Sequence, residues 1–242
     1  MDDKERQLDL LKRFEVPITS TWGTPNAEDF RQCFLFVEDY SKWVSCLTAF
    51  PQSILFESSL NECATANFFC SLGLYKHAMI SLRLCIEHCL FGIQLSTNDY
   101  AFRNWKMGNK DMSWTAIIDP NCGIFSKQFI RAYAMEFEER HEELNNIAKN
   151  VYRECSEFIH GNFEQLNSLP GNNEFDQTLF DKYIELFQNC SYLLSVALLI
   201  RFKEYIFNND LLSALEEPIM HNIGTLPEVQ FLYSKDGDSY NE

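Results

Sequence analysis

The sequence predicts an all-α protein: a helical bundle with a short irregular insert. Three observations carry this. There are only 9 Gly and 7 Pro in 242 residues, too few breakers for the many short turns of an all-β fold. Apolar residues recur at helical spacing over long stretches. The chain is 46% hydrophobic and 14% aromatic, with 21 Phe, which excludes global disorder. A chain of this size buries enough surface to fold without a disulfide or metal staple. No internal repeat or low-complexity tract interrupts it.

Thr24-Pro25-Asn26 is a helix-start signal, and Glu28 and Asp29 suit the positive end of the dipole. Over 27–49 the apolar set Phe30, Cys33, Val37, Tyr40, Val44 and Leu47 follows one helical face, and Pro51 ends it. A second helical stretch is predicted over 59–96, with a break at Gly73. Beyond Gly73 it is apolar nearly all round, from Ala78 to Phe91, as a central buried helix must be. Residues 97–125 are punctuated by Gly, Asn, Asp and Pro, and Trp105 and Trp114 are the anchors that pin this insert to the core. Helices are predicted over 126–139 and 142–160, the latter ending at Gly161. A polar turn containing Pro170-Gly171-Asn172-Asn173 then leads to a long helix over 175–208. From about residue 222 the composition is that of a loose end. The expected division is an N-terminal helical extension (1–58), a helical core (59–210) and an acidic C-terminal tail (211–242).

The formal net charge is −15, unevenly spread: −5 over 1–70, +3 over 71–135 and −13 over 136–242. Such acidity opposes non-specific nucleic-acid binding and keeps a Phe-rich chain soluble. The middle third, with Arg83, Arg103, Lys106, Lys110, Lys127 and Arg131, is the one stretch that tolerates a polyanion. Nine cysteines, an odd number without a CxxC pair, sit mostly in apolar surroundings and read as reduced, buried thiols of a cytosolic protein. The charged N-terminus, Met1-Asp2-Asp3-Lys4-Glu5-Arg6, precedes no apolar segment of a signal peptide. The most apolar run, Cys190–Ile200, ends at Arg201 and is too short to cross a bilayer, so no membrane partner is expected. No cofactor is expected either. GxGxxG, Walker, GxSxG and HExxH motifs are absent, and Cys85 and Cys89 with His88 lack two further ligands at zinc spacing.

Chemistry concentrates on the helix from about Leu144 to His160. At about 100° per residue, Lys149, Arg153, Ser156 and His160 fall in one polar stripe, opposite Ile147, Ala148, Val151, Cys155 and Phe158. Arg153 and His160 are then about 10 Å apart along the axis. At a helix C-terminus the dipole favours the imidazolium. The spacing Arg153-Glu-Cys-Ser-Glu-Phe-Ile-His160 resembles the Arg-x4-6-His motif of the HEPN superfamily. The wider pattern Val151-Tyr152-Arg153…Ser156…His160-Gly161, after a helix bearing Leu82-Arg83…Glu87, resembles HEPN-like proteins of bacterial defence systems. That resemblance covers about residues 60–205. It implies a homodimeric helical bundle with the motif helices side by side, and metal-independent RNA cleavage. The histidine would handle the proton of the 2′-OH or leaving group, and the arginine would stabilise phosphate charge, with Ser156 beside them. Lys149, Arg103 and Lys106 are the expected RNA contacts. Two positions depart from the family pattern: Glu154 replaces a small polar residue after the arginine, and Asn162 replaces a tyrosine two residues after the histidine.

Other readings stay open beside this one. The same polar stripe also suits a contact surface for a protein partner in a defence complex, or a plain solvated face. A ligand held between helices near Trp105 and Trp114 is a third possibility. Arg83, with His88 five residues on, also fits the motif spacing, but Arg83 and Glu87 are placed to form an internal ion pair. His77, Ser81 and His88 share one face of the central helix and are expected mainly as satisfied core groups.

Overall fold

A computed structural model of the chain describes residues 2–159 and 174–236. Among these, every regular element is helical. Two short helices, α1 (Asp3–Lys12) and α2 (Glu15–Trp22), precede α3 (Ala27–Cys46), α4 (Ser53–Ser71) and α5 (Tyr75–Leu95). The insert holds α6 (Asp99–Lys106) and α7 (Trp114–Ile117). Then come α8 (Lys127–Tyr133), a 3-10 turn (Met135–Arg140), α9 (His141–Glu157), α10 (Gln177–Asn208), α11 (Leu212–Ile223) and α12 (Pro227–Asp236).

The core is built around α5 and α10. On α5, Ala78, Met79, Leu82, Cys85, Ile86, Cys89 and Leu90 are fully buried, as its all-round apolar character requires. α4 and α5 form a tight antiparallel hairpin. Its turn needs a left-handed residue, and Gly73 supplies it at φ +69°. The Gly73 N–H then reaches the Cys70 carbonyl (3.0 Å) and the Leu74 N–H the Phe69 carbonyl (2.9 Å), the Schellman closure of α4. Further along, Gly92 lets α4 approach closely: a Cβ there would stand 2.8 Å from a ring carbon of the buried Phe56.

Buried hydrogen bonds set how the helices pair. The Tyr183 hydroxyl donates to Asn67 Oδ1 (2.7 Å), and Asn67 Nδ2 donates to the Cys33 carbonyl (2.9 Å), joining α10, α4 and α3. The Tyr40 hydroxyl donates to Ser59, which donates to the Cys85 carbonyl (2.9 and 2.7 Å). Arg201, which ends the apolar run of α10, folds back to donate to Ser96 Oγ and its carbonyl (2.8 and 2.9 Å) while covering the Tyr133 ring. All nine cysteines are free thiols, and seven of them are buried.

Several boundaries differ from those the sequence predicts. α4 starts at Ser53, so it runs through residues 58 and 59, and α3 shares one core with it. The stretch over 126–139 is two pieces: α8 ends at Tyr133, the ψ of 78° at its cap Ala134 is not helical, and a 3-10 turn follows. The chain beyond 222 is not a loose end as far as Asp236. There α12 docks with Val229 fully buried, and Glu228 takes a two-pronged ion pair from Arg140 (2.7 and 2.9 Å). Two described helices, α5 and α10, are long and apolar enough to cross a membrane by length and composition. About two thirds of each apolar window is buried against the rest of the chain.

Candidate functional site

The motif helix α9 seats itself by its apolar stripe. Ala148, Val151 and Cys155 are fully buried against α5 and α10, with Phe158 buried at the C-cap. The opposite stripe therefore faces outward, and Lys149 and Arg153 are exposed. The Arg153 side chain is 68% exposed, and its Nη2 donates to Asn150 Oδ1 (3.1 Å) and to Glu154 Oε1 (2.8 Å). The other oxygen of Glu154 takes Lys182 of α10 (2.8 Å). The hydrogen bond from Lys182, more than that from Arg153, holds the Glu154 carboxyl below its ordinary range.

Ser156 does not stand free beside Arg153. Its hydroxyl is half-buried and donates to the Tyr152 carbonyl one turn back (2.5 Å). The helix also stops short of the predicted end. α9 finishes at Glu157, where the Ile159 N–H closes a tighter i−3 bond to the Ser156 carbonyl (3.0 Å). Regular α-helix therefore ends before the last residues of the predicted 142–160 stretch. His160 and Gly161 lie outside the described residues.

The structure does bring together the residues that carry the wider pattern. Arg83 and Glu87 on α5 pair at 3.2 Å, with only 18% and 17% of their side chains exposed. Arg83 Nη2 also donates to the Tyr152 hydroxyl (2.6 Å), and its guanidinium carbon lies 4.5 Å from the Tyr152 ring centre. Trp114 of the insert stacks on the same tyrosine, with ring centres 4.0 Å apart and planes 9° apart. This three-layer contact locks α7, α9 and α5 together one residue from Arg153. Burial, and next the Glu87 charge, push the Tyr152 phenol up, against the pull of Arg83.

The remaining predicted residues lie elsewhere. Arg103 pairs with Asp99 on its own exposed helix (2.7 Å), and Lys106 extends beside Phe102. Their helix packs on α5 through Trp105 against Phe91. Phe91 is eight residues, or about 12 Å of helix, beyond Arg83. Lys149 borders a cavity of about 310 Å³ with His141 and Asn145. The two tryptophans separate: Trp105 lines a cavity of about 250 Å³ between α5, α6 and α7, whereas Trp114 is spent on Tyr152. His77, Ser81 and His88 also meet different surroundings. Ser81 is buried, His77 is exposed beside Phe69, and His88 bonds Ser58 (3.1 Å). Cys85 and Cys89 are buried, and no group of three or more metal-ligating side chains occurs among the described residues.

Sequence reasoning missed one polar centre. Asp39 of α3 is 4% exposed and meets His221 (3.2 Å) and Asn222 (3.0 Å) of α11. The available signal was an acid set between Phe36, Tyr40 and Trp43 on the apolar face of α3. Its partners, 182 and 183 residues away, carried no signal at all. No protein-family model, curated protein or solved structure matches the chain.

Proposed function

We propose that this chain is a HEPN-like, metal-independent endoribonuclease effector of a bacterial defence or toxin system, acting in the cytoplasm as a homodimer. The observation that carries the reading is the contact of Arg83 and Glu87 with Tyr152 (2.6 Å from Arg83) directly beside the exposed guanidinium of Arg153. The residues on which the resemblance rests, from two distant segments, thus share one helix seam. In this reading Arg153 binds the scissile phosphate and stabilises its developing charge. The 2′-oxygen attacks phosphorus and the 5′-oxygen leaves. His160 moves the proton between them, giving a 2′,3′-cyclic phosphate and a 5′-hydroxyl. Tyr152 and Arg83 hold α9 in place, and Ser156 supports the backbone rather than the substrate.

The test is cleavage of end-labelled RNA by the purified full chain in EDTA, alone and with lysate from phage-infected cells as activator. Cleavage to cyclic phosphate ends that R153A and H160A both lose, with helical content unchanged, supports the proposal. Persistent absence of cleavage, or cleavage untouched by H160A, overturns it.

A second reading has its own observation. Arg153 is already engaged by Glu154, a carboxylate it shares with Lys182, so part of its charge is answered within the chain. A non-catalytic subunit that presents this face to a protein partner fits that pairing. E154Q distinguishes the two: it frees Arg153, so RNA binding tightens in the first reading and is unaffected in the second.

A further inference from the structure

The cavity of about 250 Å³ beside Trp105 lies between α5, α6 and α7, apart from the α5–α9 seam. One side of it is apolar. Phe91, Leu95, Ala101 and Trp105 line that side, with the Phe91 and Trp105 rings edge to face at 5.9 Å. α6 ends in a tight turn, closed by the Asn109 N–H on the Asn104 carbonyl (3.0 Å), and the chain then places Lys110 and Asp111 in the lining. Neither of these charged side chains has an ionic or hydrogen-bonding partner among the described residues. Most other polar groups there are engaged. The Thr97 hydroxyl donates to the Gln94 carbonyl (2.7 Å), the Cys122 thiol donates to Asp119 (3.4 Å), and Ser113 Oγ accepts from the Ala116 N–H (3.4 Å). Asn98 Oδ1 accepts from the Ala101 N–H (2.9 Å), which leaves its Nδ2 as a donor. The Gln94 carboxamide keeps both a donor and an acceptor.

We propose that this cavity binds a free α-amino acid with an apolar side chain. The groups left unengaged are a cation with an additional N–H donor, a carboxylate, and a carboxamide that serves either sign. Their complement is a ligand with one anionic acceptor and one cationic donor. The aromatic and aliphatic side of the cavity calls for an apolar body as well. An α-amino acid carries all three in one small molecule: its carboxylate meets Lys110, its ammonium meets Asp111, and its side chain packs on Trp105 and Phe91. A ligand of a single charge leaves Lys110 or Asp111 unanswered. The volume is below that of drug-sized pockets and suits one residue-sized molecule better than a protein segment or an oligonucleotide. A zwitterion has no net charge, so the −15 of the chain does not repel it.

The test is tryptophan fluorescence of the full chain, excited where phenylalanine does not absorb and titrated with L-phenylalanine. A saturable change is expected, and W105F should lose it. Hydrocinnamate lacks the ammonium and phenylalaninamide lacks the carboxylate. Each should bind about fivefold more weakly than the amino acid, the effect of one exposed charge contact. Lys110 and Asp111 are exposed and hold no other group, so K110Q and D111N should keep the fold. Each variant should weaken L-phenylalanine by a similar factor. The losses should also cross: K110Q does not weaken phenylalaninamide and D111N does not weaken hydrocinnamate, a pattern that general loosening of the loop would not produce. The proposal is overturned if L-phenylalanine gives no saturable change, if the change survives in W105F, if either one-charge analogue binds as well as the amino acid, or if both charge variants bind it as the wild type does.

Discussion

Replacing Arg83 by methionine tests the seam on which the functional reading is built. The side chain keeps its length and apolar stem but loses the guanidinium. Two hydrogen bonds go, to Glu87 (3.2 Å) and to the Tyr152 hydroxyl (2.6 Å), together with the cation–π contact at 4.5 Å. Bonds to charged groups are worth about 1.5–3 kcal/mol each, and a partly desolvated cation–π contact about 1 kcal/mol. The Glu87 bond is long, and both ionic side chains keep nearly a fifth of their exposure, so the sum is discounted. A cost of about 2–4 kcal/mol remains, much of it from leaving the largely enclosed Glu87 carboxylate without a cationic partner. For a chain of this length that lowers Tm by about 6–12 °C. E87Q alone should cost about 1 kcal/mol. Because the two side chains touch, the double variant should fall short of additivity by about 1–2 kcal/mol. Urea unfolding followed by far-UV circular dichroism measures all three, and the near-UV band of the Trp114–Tyr152 stack reports local loosening. An R83M protein within 0.5 kcal/mol of wild type, or strict additivity, would falsify the seam as described.

Other outcomes follow from single contacts. Gly92→Ala puts a Cβ 2.8 Å from the Phe56 ring, and because Phe56 is fully buried the helices must part. The expected cost is about 1–3 kcal/mol in denaturant unfolding, and a neutral result would mean α4 and α5 are not so close. Asn67→Ala strands the Tyr183 hydroxyl in the core and opens a small void, costing about 2–4 kcal/mol; Y183F beside it should recover part of this. Glu138 is held down to about 2, first by the Arg131 hydrogen bond and then, against burial, by Lys127. A depressed carboxyl contributes stability above its unfolded pKa of about 4.3 and loses it as the pH falls towards 2. The gap between wild type and E138Q should therefore be widest near neutrality and close between pH 5 and 2, and a gap that persists at pH 2 contradicts the assignment. Glu228→Gln weakens the grip of Arg140 on α12, so amide exchange over 227–236 should rise well before exchange in α5.

Local periodicity made much of this chain legible. The helical class, the break at Gly73, the burial of α5 and the inward stripe of α9 all follow from residue spacing along a single helix. So does the Arg83–Glu87 pair, because four residues make one turn. The end of α9 was not legible, since Glu157, Phe158 and Ile159 carry no breaker that would mark the closing i−3 bond. What only the tertiary structure decided is which distant groups meet: Tyr152 with Arg83 across 69 residues, Glu228 with Arg140 across 88, and His221 with Asp39 across 182. Helix-forming energetics act within a few residues and are written in the sequence as spacing. The pairing of remote polar groups is settled when helices pack and a half-buried charge takes whichever partner the packing places beside it, and spacing along the chain does not encode that choice.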